Sequence, residues 1–229
     1  GITQTRDANL TLTDKSGKTR EQVIRVYRKY YDDEKRTVIF YLEPANVKDT
    51  GFLTFDYPEV DKEDDQWLYL PATRKVRRIS ASNKGDYFLG TDLTYDDLKR
   101  DAKISAHEYT WTIKGNQAVG GKDCQVLEGL PKSEKIAEEL GYSKAVIHVD
   151  PATNLILQYD YWDVNGNELK RIENQNVEQI DGIWTANTIV VNNHKTGHAT
   201  LLDFTSTNYS NPIDDDLFSD RALLRGAPR

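Results

Sequence analysis

Short runs rich in Val, Ile, Thr and aromatic residues alternate with turn residues along nearly the whole chain, which predicts β-strands joined by hairpins. Asp14-Lys15-Ser16-Gly17, Asp150-Pro151-Ala152-Thr153-Asn154, Asn165-Gly166, Asp181-Gly182 and Lys195-Thr196-Gly197 each divide two such runs. Asn-Gly and Asp-Gly are strong hairpin signals because the residues at the centre of the turn take positive φ. Strands are expected over residues 8–14, 19–31, 36–43, 51–57, 65–70, 75–80, 106–113, 122–129, 145–150, 155–162, 168–180, 184–193 and 198–209. That is too many for one flat sheet, so a mainly β fold with strong curvature or partial closure is predicted.

Alternation within these strands is imperfect. In the second, Val23, Arg25 and Tyr27 share one face and Ile24, Val26 and Arg28 the other, so apolar groups lie on both sides. A sheet covered on both faces gives this pattern, and so does a strand that twists from core to edge. Helical signals are few and short. Ser133 caps a stretch in which Ile136, Ala137 and Leu140 form an apolar stripe, with Gly141 as the stop. Thr94 and Asp97 make a capping-box-like start for a turn over residues 95–100. Asp214, Asp215 and Asp216 stand where the dipole of a helix through LFSDRALLR favours acids.

The most informative stretch is residues 64–98, DDQWLYLPATRKVRRISASNKGDYFLGTDLTYDDL. Its aromatic and basic runs flank Pro71, Ala72 and Thr73 and read as one antiparallel hairpin. If Leu70 pairs with Lys75, Trp67 lies opposite Arg78 and Tyr69 opposite Val76, while Leu68 meets Arg77. Each face then mixes apolar bulk with cationic tips. A solvated sheet face built on Arg–Trp stacking fits this pattern, and so does a docking surface.

The 229 residues are 38% hydrophobic and 10% aromatic, enough for one sizeable core, and a single domain over residues 1–229 is expected. The longest apolar runs fall far short of the roughly 20 residues of a membrane-spanning helix. The chain starts at Gly1 and holds no Met, which suggests a removed upstream segment, either a signal peptide or residues left out by design. Cys124 is the only cysteine, and its KDCQVL setting favours a small buried hydrophobe over a reactive thiol. A formal charge of −7 argues against nucleic acid as a partner. The one dense basic cluster, Arg74, Lys75, Arg77 and Arg78, is a candidate for docking on anionic lipid or an acidic partner. Edge strands also carry cations to prevent sheet-to-sheet aggregation, which is the rival explanation.

Motifs for chemistry are lacking. No GxSxG elbow, SxxK pair, P-loop, GxGxxG turn or HExxH helix is present, so no catalytic residue and no cofactor are expected. His194 and His198 flank a hairpin turn, where an i,i+4 spacing does not bring two imidazoles together, and no metal site is expected there. His107 and His148 sit singly in strand-like runs and read as structural. The acidic run Asp61, Glu63, Asp64 and Asp65 lacks the Gly and terminal Glu of an EF-hand and reads as a solvated connector. In DVNGNE, residues 163–168, the Gly stands where a hairpin needs it.

The strings QWLYLPATRKVRRIS and FLGTDLTYDDL, with LTLTDKSGKTREQVIRVYRK, FYLEPANVKDTGFLTFDY, KDCQVLEGLP and LILQYDYWDVNGNELKRIE, resemble in order and spacing the outer-membrane lipoprotein-sorting proteins of the LolA/LolB-type superfamily, in a branch linked to export transporters. The resemblance covers most of residues 9–220. It implies a strongly curved antiparallel sheet forming an unclosed half barrel, with short helices capping the concave side over an apolar hollow. It also implies a periplasmic carrier that moves an acylated lipoprotein or lipid towards the outer membrane without covalent change. An inner-membrane exporter, an outer-membrane acceptor and a transient membrane surface would be its partners. Phe40, Leu42, Phe52, Phe55, Trp67, Tyr69, Phe88, Leu89, Leu93 and Ile136 are the candidate lining of the hollow. A one-residue slip in hairpin register would invert each choice of face. A regulatory module of the RseB/MucB type, binding a protein partner, is the alternative, although those relatives carry a second domain.

Overall fold

The computed structural model describes residues 3–57, 62, 64–80, 85–100, 104 and 106–228. The strands are β1 (Thr3–Thr13), β2 (Thr19–Tyr30), β3 (Lys35–Glu43), β4 (Gly51–Asp56), β5 (Asp65–Leu70), β6 (Lys75–Arg78), β7 (Tyr109–Val119), β8 (Lys122–Pro131), β9 (Lys144–Asp150), β10 (Leu155–Trp162), β11 (Glu168–Ile180), β12 (Ile183–Asn193) and β13 (Ala199–Asn208). The helices are α1 (Tyr95–Arg100), α2 (Glu134–Leu140) and α3 (Asp220–Arg225). The strands form one antiparallel sheet in the order β6-β5-β4-β3-β2-β1-β13-β12-β11-β10-β9-β8-β7, not closed into a barrel. The expected mainly β class with few short helices is thus observed.

The turns follow the chemistry read from sequence. Asp181 and Gly182 both take positive φ (50° and 81°), as a tight two-residue hairpin requires, and Gly17, Gly166 and Gly197 are also left-handed. The hairpin of β5 and β6 has the expected register, with Trp67 opposite Arg78, Leu68 opposite Arg77, Tyr69 opposite Val76 and Leu70 opposite Lys75.

The chain divides into two compact units. The first comprises Gly1–Thr11, Arg20–Ala81 and Asp203–Arg229. Its register aligns Val38 with Leu53 and Trp67, and Phe40 with Gly51 and Tyr69, on one face. The C-terminal segment covers this face, and Ile213, Phe218 and Leu223 join Val38, Phe40, Leu53 and Tyr69 in one buried cluster. Gly51 makes the close approach possible, because a methyl group there would lie 2.7 Å from Leu223 Cδ2. Lys29 fastens the same segment by donating to the Ile213 carbonyl at 3.2 Å and to Asp215 Oδ1 at 2.7 Å. The opposite face of this unit carries Ile24, Val26 and Arg28, all buried, whereas Val23, Arg25 and Tyr27 on the first face are half-buried.

The second unit comprises Leu12–Thr19 and Ser82–Leu202. Here α2 has the expected ends: Ser133 Oγ accepts from the Ile136 amide at 3.2 Å, and Gly141 takes a left-handed φ of 78°. The α1 capping box also forms, with the Thr94 amide donating to Asp97 Oδ2 at 2.7 Å and the Asp97 amide to Thr94 Oγ1 at 3.1 Å. Cys124 is fully buried, and burial pushes its thiol pKa up, as for an inert core residue.

Four expectations need correction. β1 begins at Thr3, not at residue 8, because its inward polar residues find partners: Arg6 Nε donates to Thr207 Oγ1 at 3.1 Å and its guanidinium lies 3.4 Å from the Phe204 ring centroid. β7 runs on to Val119, its polar second half held by backbone pairing to β8 with an irregularity between Ile113 and Gly115. His107 is exposed in the turn before β7, not in a strand, whereas His148 is buried in β9, where desolvation lowers its pKa. The C-terminal helix is split. Asp214 caps a 3-10 turn (Asp215–Leu217), and Ser219 accepts from the Ala222 amide at 3.2 Å and starts α3 afresh. Of the acidic run before β5, Asp61 and Glu63 lie outside the described residues.

Truncating Leu223 to Ala should cost about 2–5 kcal/mol of stability in chemical denaturation, as for a buried Leu. Gly51→Ala should cost about 1–3 kcal/mol by driving a methyl into the same contact. Leu224→Ala, at a residue 54% exposed, should stay within about 0.5 kcal/mol.

Candidate functional site

The ten candidate lining residues fall in three places. Phe40, Leu42, Phe55, Trp67 and Tyr69 gather on one face of the first unit, in or against the cluster beneath the C-terminal segment. Phe55 and Trp67 meet edge to face at 5.2 Å, and Tyr27 meets Phe40 likewise at 6.4 Å. Phe52 pairs with Ile39 and Leu68 and so occupies the opposite face of that unit, where it is fully buried. Phe88, Leu89 and Leu93 lie in the second unit, in the loop that precedes α1, and half-buried Ile136 lies on α2. Phe88 and Leu93 are buried, and the Phe88 ring stands edge-on to Tyr95 at 5.4 Å. Leu89 is half-buried with a positive φ of 44°.

The four candidate docking cations are all exposed. Arg74 occupies the turn with φ 51°, and Lys75, Arg77 and Arg78 lie on β6, the terminal strand of the order. Arg78 is paired with Asp65. Position on an edge strand suits both docking and protection against sheet-to-sheet pairing.

The most constrained chemistry lies in the second unit and centres on Lys170. Its side chain has no exposed surface, and its ammonium donates to Asp97 Oδ2 at 2.5 Å and to the Asp92 carbonyl at 3.0 Å. The rings of Tyr142, Tyr87 and Tyr161 lie 5.2, 5.6 and 5.8 Å from it. The Asp97 carboxylate that caps α1 thereby also neutralises the lysine, and it accepts from Tyr142 Oη at 3.2 Å. Burial first, and the Asp97 charge second, hold the Tyr142 pKa well above its usual value, so this phenol stays a donor. Asp92 receives Asn193 Nδ2 at 3.0 Å and Thr200 Oγ1 at 2.9 Å. Three neighbouring strands, β11, β12 and β13, each therefore contribute one polar group to residues 92–97. Among the described residues no group of three or more His, Cys, Asp or Glu is arranged to hold a metal ion.

Sequence reasoning singled out Thr94 and Asp97 as a helix start and missed the partner. Lys170 looks like a solvated charge in ELKRIE, yet Lys170 and Arg171 are adjacent on a strand and necessarily point to opposite faces. Arg171 takes the outer one with Asp160, at 2.6 Å. The tyrosines of LILQYDYW were the available signal, because Tyr161 stands directly opposite Lys170.

A family model described as that of an uncharacterized protein matches residues 33–225. No curated protein matches the chain. Among solved structures, a DUF1329 family protein from Desulfovibrio piger is 31% identical with a TM-score of 0.89, over 97% of this chain and 91% of that one. A domain from Vibrio parahaemolyticus, described as a candidate outer membrane lipoprotein-sorting protein, is 27% identical with a TM-score of 0.87, over 97% and 92% of the two chains. A LolA superfamily protein from Nitrosomonas europaea, 18% identical over 96% and 91%, shares the fold with a TM-score of 0.70. The resemblance read from the sequence is thus shown.

Removing one partner of the Lys170–Asp97 pair leaves a buried charge uncompensated. Lys170→Met should cost about 3–5 kcal/mol in denaturation, and Asp97→Asn a similar amount. The double variant should cost clearly less than the sum, because the two residues are coupled. Additive losses would show that the pair is not the organising contact.

Proposed function

The chain belongs to the DUF1329 family and carries the fold of the LolA superfamily, and from that premise we propose that it is a periplasmic carrier of a lipid or of a lipoprotein acyl chain. The cargo is bound without covalent change and passed towards the outer membrane. An inner-membrane exporter would load it and an outer-membrane acceptor would unload it. One observation carries the reading: within the second unit, residues 85–98 are held at defined points by Lys170, Asn193 and Thr200. On this reading the stretch is a cover that can open as a piece. Phe88, Leu89 and Leu93 are its apolar contribution, and the lining role extends to the other candidate aromatics. Burying about ten methylenes of an acyl chain contributes on the order of 8 kcal/mol, enough to hold the chain in water and little enough to surrender it to a second apolar site. The similar domain from Vibrio parahaemolyticus, described in terms of lipoprotein sorting, supports the same reading.

Titration with a fluorescent fatty acid should show saturable uptake that unlabelled phospholipid competes away. Uptake that is absent or never saturates would sink the carrier reading.

The basic hairpin is the proposed contact with anionic membrane. Changing Arg74, Lys75, Arg77 and Arg78 together to Gln should weaken association with phosphatidylglycerol-containing vesicles by up to about 4 kcal/mol at low salt, given about 1 kcal/mol per cation. Unchanged association accompanied by aggregation would instead establish the cations as edge protection.

A further inference from the structure

The C-terminal segment leaves β13 through a turn before it reaches the apolar cluster of the first unit. Asn208 Oδ1 accepts from the amides of Ser210 at 2.9 Å and Asn211 at 2.7 Å, and the segment joins the cluster at Ile213. Between this turn and strands β1, β2 and β13 lies an open pocket of about 440 Å³. Small-molecule sites span about 300–1,000 Å³. Thr5 and Asp7 of β1 and Arg25 and Tyr27 of β2 form its half-buried floor. Ser206 of β13 and Asn211 of the turn stand exposed at its rim.

Two opposite charges share the floor and cancel. Arg25 Nε donates to Asp7 Oδ1 at 2.6 Å and Arg25 Nη2 to Asp7 Oδ2 at 2.8 Å, with the two side chains 32% and 27% exposed. The hydrogen bond to Asp7 raises the Arg25 pKa, so the guanidinium stays charged. A bound anion would meet the carboxylate and a bound cation the guanidinium, so the pocket favours a neutral guest. It offers hydrogen bonding in both directions. A carboxylate has about four lone-pair sites and a guanidinium has about five N–H donors, and the fork uses only part of each. Asn208 spends its oxygen on the turn and keeps its Nδ2 donors, while the Thr5 and Ser206 hydroxyls can donate or accept. Tyr27 supplies an apolar wall, its ring backed edge to face by Phe40 of the cluster at 6.4 Å.

We propose that this pocket binds a neutral polyhydroxyl ring of hexopyranose size, with neighbouring hydroxyls bridging Asp7 and Arg25, Asn208 Nδ2 donating to a further oxygen, and a C–H face of the ring against Tyr27. A hydroxyl donates and accepts at once, so one diol gives to Asp7 and takes from Arg25, which neither an ammonium nor a carboxylate guest can do. The roughly twelve heavy atoms of such a ring, each taking no more than the roughly 30 Å³ of a liquid water, need at most about 360 Å³. A free saccharide and the sugar head of a lipid offer the same chemistry, and the test separates the two. The site lies outside the candidate acyl-chain lining and stands independently of the carrier reading.

The test is isothermal titration of the intact chain with the methyl glycosides of glucose, galactose and mannose, followed by the 6-phosphate, the 2-amino analogue and the octyl glycoside of whichever binds best. At least one methyl glycoside should bind one-to-one with a Kd of about 1 mM or tighter, and both charged analogues should bind at least about tenfold more weakly. Ser206→Trp, which sets an indole over the mouth from an exposed position, should weaken the neutral sugar at least about tenfold. Asp7→Asn combined with Arg25→Gln, which replaces the fork by neutral amides, should do the same. If the octyl chain adds at least about tenfold in affinity and Ser206→Trp removes that gain, the ring is the head of a lipid; otherwise it is a free saccharide. No saturable binding of any methyl glycoside up to about 10 mM would overturn the proposal. So would tighter binding of either charged analogue, or neutral-sugar binding that neither variant weakens. The fork variant serves if Ser206→Trp does not fold, and the wild-type ranking of neutral over charged sugars needs neither.

Discussion

An ammonium group placed on a sheet face with no exposed side-chain surface dictates what surrounds it, and Lys170 does so for the second unit. Removing such a group from water costs several kcal/mol, which only close anions, dipoles and ring faces offset. The anion is Asp97, which requires the first turn of α1 to stand over β11. The dipole is the Asp92 carbonyl, which requires the preceding loop to turn its backbone inward. The ring faces include Tyr142, just beyond α2, and Tyr161, on the adjacent strand. Once Lys170 is satisfied, the path of residues 87–97 is nearly fixed. Asn193 and Thr200 then fix it again through the Asp92 carboxylate.

Polar groups on buried sheet faces recur in the first unit. Arg6, Arg28, Thr37, Thr54 and Gln66 are all buried on strands. This explains how a chain with a mean hydropathy of −0.70 sustains thirteen strands. Part of its buried sheet surface is built from polar side chains, of which Arg6, Arg28 and Thr37 are hydrogen-bonded, rather than from alternating aliphatic ones. The consequence is specificity of register. A one-residue slip of β2 would expose the match of Arg28 to Thr37 and Gln4 and invert every neighbouring side chain.

The same feature decides what could be read from the sequence. Hairpins were legible wherever a turn needs a left-handed residue, as at Asp181-Gly182, and so was the register of β5 with β6, because Pro71 to Thr73 leave one short connection. The start of β1 was not, since TQTRDANL shows no apolar alternation until its buried Arg6 is seen to stack on Phe204. The break in the C-terminal helix depended on Ser219 capping a new helix, a local competition that an apolar stripe conceals. Faces were legible only in part. Alternation groups Phe40 with Leu42 and separates Phe52 from Leu53. It does not say which face the C-terminal segment will cover, and Leu223 against Gly51 settles that for this unit. Lys170 and Asp97 lie 73 positions apart, so the tyrosines of β10 hinted at a buried cation while local periodicity could not name its anion.

On the carrier reading, the kind of contact that holds the cover sets how it opens. An apolar seal is lost in proportion to the area exposed, roughly 25 cal/mol per Å², and opening gives nothing back. An ion pair behaves differently: when Asp97 leaves Lys170, both charges regain hydration, and the desolvation cost met on closing is recovered. The net cost of opening is therefore much smaller than the short contact distances suggest, provided water reaches both groups together. Loss of one partner by substitution is a different event, because the survivor stays buried and unpaired. A cover attached by Lys170, Asn193 and Thr200 can thus be firmly placed when shut and still be released as a unit, whereas one attached only through Phe88 and Leu93 would face a barrier that grows with every apolar contact it makes.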